Sequence, residues 1–234
     1  MLAIFKKEFK NYFLSPIGYI FVGVFTALAS MFFSSSVLYY QQADISLVFS
    51  DINIIYLFLV SLLTMRLLSE EKNKKTEQLL LSAPVSIVEV VLGKYLAALS
   101  VFGITILISL SFPFIMFKYA QPALSEIIGS YIGFILLWAS FIAIGLFISS
   151  LTESQMIAGV FTFAGLLLIY VMGWFQSNIQ NEFIRKIIGM FSLLDRYGEF
   201  QRGILNIGNI VYYLSFIFVF LFLTVRVIDK RRYS

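Results

Sequence analysis

The sequence predicts an all-α polytopic membrane protein, and three observations carry that expectation. Hydrophobic residues make up 60% of the 234 positions and charged residues only 13%, whereas soluble domains run near 45–50% apolar and about 25% charged. Mean hydropathy is +0.91. The apolar residues fall in blocks of about twenty, the length an α-helix rising ~1.5 Å per residue needs to cross a ~30 Å hydrocarbon core. Six such blocks and their connections consume nearly the whole sequence. A single membrane domain over residues 1–234 is therefore expected, with no room for a soluble domain of ordinary size.

Residues 1–16 form the first element. Leu2, Phe5, Phe9, Tyr12 and Phe13 recur at helical spacing while Lys6, Lys7 and Lys10 fall on the other side, the pattern of an amphipathic helix lying in a membrane interface. It either anchors the first span or lies beside a partner subunit; the pattern alone fits both. The spans follow at 17–38, 47–65, 95–117, 127–151, 156–175 and 210–228. Ala27-Leu-Ala29 has the small-x-small form of a signal-peptide cleavage site, but Met31, Phe32 and Phe33 carry the apolar run past it, so a retained span is expected.

Basic residues set the orientation. With the N-terminus in the cytoplasm, the inside segments hold Lys6, Lys7, Lys10, Arg66, Lys72, Lys74, Lys75, Lys94, Arg226, Lys230, Arg231 and Arg232. The outside segments hold only Lys118, Arg185, Lys186, Arg196 and Arg202. The positive-inside rule then puts both termini in the cytoplasm. The net charge of +4 is accounted for by this asymmetry and does not point to nucleic acid.

The longest cytoplasmic connection, residues 66–94, is too ordered in character for a linker. Its charged stretch from Glu70 to Lys75 reads as an extension of the second span, and Thr76 or Glu77 could open a short helix over 77–82. Pro84 disfavours helix at Ala83 and breaks it. Ser86-Ile-Val-Glu89 has the form of a capping box, so the third span should begin about two turns before the membrane. Leu79, Leu80 and Leu81 on the short helix need cover, either from the interfacial helix of the same chain or from a groove on a soluble partner.

The string Glu70-Glu71, Thr76-Glu77, Leu79-Leu80, Ala83-Pro84-Val85-Ser86, Glu89 and Gly93-Lys94-Tyr95 resembles the pattern Glu-Glu, Gly-Thr-x-Glu-x-Leu-Leu, Leu-Pro-Val-Ser, Glu, Gly-Lys-Tyr of ABC-2 type permeases. Its closest flavour is similar to the gliding-motility-associated and nitrous-oxide-reductase-maturation permeases. The resemblance implies six spans, a cytoplasmic coupling helix between spans two and three, and extracytoplasmic re-entrant helices within 176–209 before span six. It assigns Glu70, Glu71, Thr76, Glu77, Leu79, Leu80, Pro84 and Glu89 to contact with a separate ATPase subunit or to its support. Phe200, Gly203 and Asn206 resemble the family's lead into span six. One departure is Lys75, which stands where many members have glycine. The implied partners are cytoplasmic ABC ATPases, which would carry the ATP and Mg, a second permease copy or paralogue, and membrane lipid, in a bacterial inner membrane.

The chain has no cysteine and no histidine, which removes disulfides, thiol nucleophiles, imidazole bases and the commonest zinc ligands. Gly93-Lys94 lacks the upstream glycine of a phosphate-binding loop and is followed by tyrosine, so no catalytic, cofactor or metal site is expected in this chain. No Asp or Glu lies at mid-span, which counts against an ion-coupled carrier. Ser34, Ser35, Ser36, Thr105, Ser109 and Ser140 read as interhelical hydrogen-bonding residues, and Gly129-x-x-x-Gly133 as a weak signal for close helix approach. The function expected is the permease subunit of an ATP-driven transporter working outward. The alternative is a non-transporting scaffold that anchors a soluble complex through the same loop; nucleotide-stimulated substrate movement separates the two. An intramembrane hydrolase lacks its histidine, paired aspartates and Gly-x-Ser-x-Gly motif.

Overall fold

The structure is a computed structural model that describes residues 1–40, 44–76, 85–176, 189 and 192–232, without the side chains of 174–176 and 232. Its regular elements are helices, and six are long and apolar enough to cross a membrane: Pro16–Tyr39, Ile45–Asn73, Ile87–Tyr119, Leu124–Leu151, Gln155–Gly173 and Ile207–Arg231. In chain order the elements are α1 (Leu2–Leu14), α2 (Pro16–Phe32) continuing into a π-helical stretch Phe33–Tyr39, α3 (Ile45–Thr64), α4 (Ser69–Asn73) and α5 (Ile87–Ser109). Then come α6 (Ser111–Tyr119), α7 (Leu124–Leu151), α8 (Gln155–Gln176), α9 (Leu193–Gln201) and α10 (Ile207–Arg232). The third apolar helix starts at Ile87, eight residues before Tyr95, so the two-turn extension anticipated from the sequence is present.

Helix α7 is the centre of the bundle. It packs against α3, α5, α8, α9 and α10, and Phe134, Leu137, Trp138 and Phe141 on it are almost fully buried. An aromatic cluster surrounds it: Phe25 stacks on Tyr56 at 4.2 Å, Phe49 stacks on Phe134 at 4.3 Å, and Trp138 meets Tyr56 edge-on at 4.8 Å. In a bilayer, apolar burial gives little drive for helix association because lipid tails are as apolar as the core, so fitted ring contacts of this kind hold the bundle instead.

Helix ends and breaks have local causes. Pro16 opens α2 at a position where its missing N–H costs nothing, and extended Ser15 turns the chain out of α1. Between α5 and α6 the interruption lies around Leu110, because Pro113 cannot donate to the carbonyl four residues earlier, that of Ser109. The Tyr131 hydroxyl of α7 donates to that carbonyl at 2.7 Å. A backbone acceptor that would otherwise be orphaned in hydrocarbon is thus satisfied by a neighbouring helix.

Two expectations change in the described residues. The extension of the second span is not one continuous helix: α3 ends at Thr64, a turn occupies 65–68, and α4 resumes at Ser69. The hydroxyls read as interhelical mostly bond within their own helices. Ser35 donates to the Phe32 carbonyl, Thr105 to Phe102, Ser109 to Ile106 and Ser140 to Leu136. The reason is proximity: a helical Ser or Thr oxygen always has the carbonyl three or four residues back within reach. Ser36 alone of these five crosses to another helix, donating to Asp51 at 3.1 Å.

Candidate functional site

At the α1 end of the bundle, three segments far apart in sequence meet on one buried cation. Lys94, in the second turn of α5, is 1% exposed, and its Nζ lies 3.2 Å from Glu8 Oε1 on α1 and 3.0 Å from Glu71 Oε1 on α4. Lys7 Nζ stands 3.9 Å from Glu8 and 3.8 Å from Glu71. Two carboxylates therefore share two ammonium groups, and the cluster is electrically balanced. Balance is required, because a lone charge removed from water costs several kcal/mol.

The neighbours of Lys94 explain why α1 can lie so close. Gly93 faces Ile4, whose Cγ2 would stand 3.0 Å from any β-carbon placed there, so the glycine admits α1 against α5. Tyr95 on the other side donates from its hydroxyl to the Ala139 carbonyl of α7 at 3.1 Å. Gly93-Lys94-Tyr95 thus receives α1, neutralises two carboxylates and ties α5 to the central helix, one task per residue. Tyr12 completes the seat of α1. It is 1% exposed and donates to the Leu63 carbonyl at 2.8 Å, and burial pushes its hydroxyl well above the ordinary tyrosine range, so it stays a neutral donor. Arg66 folds back beneath α1, donating to Ser15 Oγ at 2.8 Å and the Asn11 carbonyl at 3.1 Å. The amphipathic helix anticipated from the sequence is therefore clamped to its own bundle along its apolar face. A cleft of about 370 Å³ beside it is walled by Lys7, Asn11, Arg66, Glu70, Glu71 and Thr76 among others.

The predicted site residues separate as follows. Glu71 belongs to the buried cluster. Glu70 is more exposed, 2.6 Å from Lys74 and 3.8 Å from Arg66. Glu89 receives its backbone cap from Ser86 Oγ at 3.2 Å, but its carboxylate lies 3.5 Å from the amino group of Met1 instead of returning to the start of α5. The capping box is thus half formed, because α1 supplies a charged partner. Thr76 sits just beyond α4, its N–H bonded to the Glu71 carbonyl at 2.9 Å, while Lys75 N–H bonds to Lys72 at 3.1 Å. These two bonds make a Schellman turn with Lys75 at its left-handed position, φ +56°. That is the position where glycine would be unstrained. Lys75→Gly should therefore stabilise the end of α4 by about 1 kcal/mol, read as slower hydrogen exchange at the Lys75 and Thr76 amides; faster exchange would contradict the assignment. Glu77, Leu79, Leu80 and Pro84 lie outside the described residues.

The opposite end carries the second group of predicted residues. Helix α9 packs on α7, with Phe200 fully buried. A β-carbon on Gly129 would fall 2.2 Å from the Phe200 carbonyl oxygen, and one on Gly133 would fall 2.6 Å from the Phe200 β-carbon. The Gly129-x-x-x-Gly133 spacing thus serves docking of α9. Gly203 ends α9 in the same kind of Schellman turn, with φ +73° and bonds from Gly203 N–H to Phe200 and from Ile204 N–H to Glu199. Asn206 caps the next helix, its Oδ1 accepting from Gly208 N–H at 2.9 Å. Phe200, Gly203 and Asn206 are therefore anchor, turn and cap of one connection. Residues 177–188, 190 and 191 of the predicted re-entrant segment lie outside the described residues.

Sequence reasoning missed Glu8, Tyr12 and Arg66 as site residues, and it placed Lys94 in the Gly93-Lys94-Tyr95 motif and among the basic residues without naming its partners. A lysine held between Gly93 and Tyr95, with only Glu89 charged before it in an apolar helix start, was the available signal. No group of three or more Asp and Glu that could hold a metal ion occurs among the described residues.

The family model described as "ABC-2 family transporter protein" matches residues 2–231. Searches of curated proteins and of solved structures returned no match. With six apolar helices in one bundle and a family match over nearly the whole sequence, the chain belongs to the ABC-2 family of transporter membrane proteins, as a permease subunit and not itself an ATPase.

Proposed function

We propose that this permease is driven by separate cytoplasmic ABC ATPases that dock on the connection between α4 and α5, and that it works outward on its substrate with a second permease copy or a paralogue. ATP and Mg belong to the ATPase partner. The chain sits in a bacterial inner membrane with both termini in the cytoplasm, so the α1 end of the bundle is the cytoplasmic end. Within the family, the motif string favours the gliding-motility and nitrous-oxide-reductase-maturation branch, and the segment before α10 supplies the re-entrant helices.

The observation that carries this reading is the Glu71–Lys94 contact. It fastens α4 to α5, the two helices between which the proposed docking loop is strung, and Glu8 fastens α1 to the same lysine. A load applied to the loop would otherwise be absorbed by flexing at its ends. With both ends tied to one buried cation, displacement passes to α5, α1 and, through Tyr95, to α7. Glu70, Glu71 and Glu89 then support the docking loop, while Glu77, Leu79 and Leu80 supply its contact, with apolar anchors at the centre and charges at the rim.

Glu77→Lys combined with Leu80→Asp should release the ATPase and leave membrane insertion unchanged, since neither residue lies in a span. Recovery of ATPase with the tagged permease, normalised to permease in the membrane, should fall at least tenfold. Undiminished recovery would mean that these residues face their own subunit.

A further inference from the structure

We propose that the cleft between the π-helical end of α2 and helix α6 is a binding site for an anionic phospholipid, with Lys118 as the counter-ion of its headgroup phosphate. Two helix irregularities make the cleft. The first apolar helix loosens into a π-helix over Phe33–Tyr39, and the third bends where Pro113 interrupts it. Phe33, the first residue of the π-helical stretch, and Phe112, just past the break at Leu110, stack at 4.6 Å. Beyond that clasp, Val37, Leu38, Phe114, Met116, Tyr119 and Lys118 line a cavity of about 990 Å³.

Three features commit the occupant to a lipid. The first is depth: Lys118 lies 24 residues along the α5–α6 axis from Lys94, about 36 Å at 1.5 Å per residue. That places it one hydrocarbon thickness from the charged cluster at the α1 end. Tyr119 beside it, and Tyr39 and Tyr40 directly after the cleft-lining Leu38, are all more than 60% exposed, as aromatic residues at a membrane interface are. The second is charge. Among the described residues Lys118 pairs with no carboxylate, and its ammonium has only the Tyr119 ring, 5.7 Å from the centroid. Asp51, on α3, is hydrogen-bonded to Ser36 of the π-helical stretch. The third is the lining, where a single cation stands above aliphatic and aromatic walls. A phosphate at headgroup level above an acyl chain complements that arrangement; a soluble anion would leave the walls wet, and a second protein copy would need its own carboxylate there.

The test is native mass spectrometry of the full chain released from mild detergent in equimolar phosphatidylglycerol and phosphatidylcholine. Wild type should retain phosphatidylglycerol preferentially. Lys118→Gln should lower that retention about fivefold, the effect of one lysine charge near a lipid surface, whereas Lys118→Arg should keep it. Leu38→Trp, at a half-exposed wall position, should lower it by narrowing the cleft. Arg226→Gln, at the other end of the bundle, should leave it unchanged and controls for general loss of lipid attraction. Equal retention by Lys118→Gln, or equal retention of phosphatidylcholine by wild type, overturns the proposal. So does displacement of the lipid by glycerol phosphate at matched concentration, which would identify the ligand as a soluble anion.

Discussion

Lys94→Met should destabilise the α1 end of the bundle by about 3 kcal/mol, the low end of the range for removing one partner of a buried ion pair. The low end applies because Lys7 remains within 4 Å of both carboxylates. Glu8 and Glu71, each only 12–15% exposed, would then share a single cation that is itself largely solvated. The expected readout is a fall in apparent Tm of about 2–4 °C per kcal/mol for a chain of this size, with faster amide exchange along α1. Adding Glu8→Gln and Glu71→Gln to Lys94→Met should restore most of the loss, because no buried charge then remains and Lys7, 61% exposed, keeps its own charge in water. Lys74→Met breaks the exposed pair with Glu70 and should cost at most about 0.5 kcal/mol. If Lys94→Met behaves no worse than Lys74→Met, the cluster is not what holds α1 and α4 to α5.

Gly129→Ala should expel α9 from its seat. The added β-carbon would stand 2.2 Å from a backbone oxygen, that of Phe200, and a backbone atom cannot rotate away as a side chain can. Overpacking typically costs about 1–3 kcal/mol, and displacement here would also break the contact of Gln201 with Ser50 at 2.8 Å and of Arg196 with Asn209 at 3.0 Å. The chain has no cysteine, so Ser192→Cys supplies a single reporter at a position 1% exposed. It should resist a thiol reagent in the parent and react at least tenfold faster with Gly129→Ala. Gly23→Ala, where nothing lies within 4 Å of the added atom, should change nothing. Unchanged reactivity in Gly129→Ala would show that α9 is not seated on this glycine. Gly133 differs in kind: its first contact is a side-chain atom, so Phe200→Gly should partly rescue Gly133→Ala but not Gly129→Ala.

The spans were legible because crossing a bilayer imposes a length and a composition that hold independently of any partner. The start of α5 was legible for a related reason: Ser86 acts on the backbone within one turn. Lys75 is an intermediate case. The sequence marked it as a departure from glycine, but only its left-handed φ in the Schellman turn gives the physical meaning of that departure.

By itself, then, the sequence determined the six apolar spans, the charge asymmetry between the two ends and the absence of the residues most enzymes need. Tertiary structure alone decided what the polar and small residues inside that frame are for. Lys94 was a motif residue and one more positive charge, without a stated task, until Glu8, 86 residues away in sequence, and Glu71 closed on it. Arg66 looked like one more basic residue setting the orientation until α1 lay across it. Gly129-x-x-x-Gly133 promised close approach without naming what approaches, and Phe200 proved to be the partner. The physical reason is common to all three. Hydropathy and helix signals are sums over neighbouring residues, so they can be read along the chain. A buried charge or a missing β-carbon acquires its energy from whichever atom stands opposite, and that atom is chosen by the packing of segments the sequence keeps far apart.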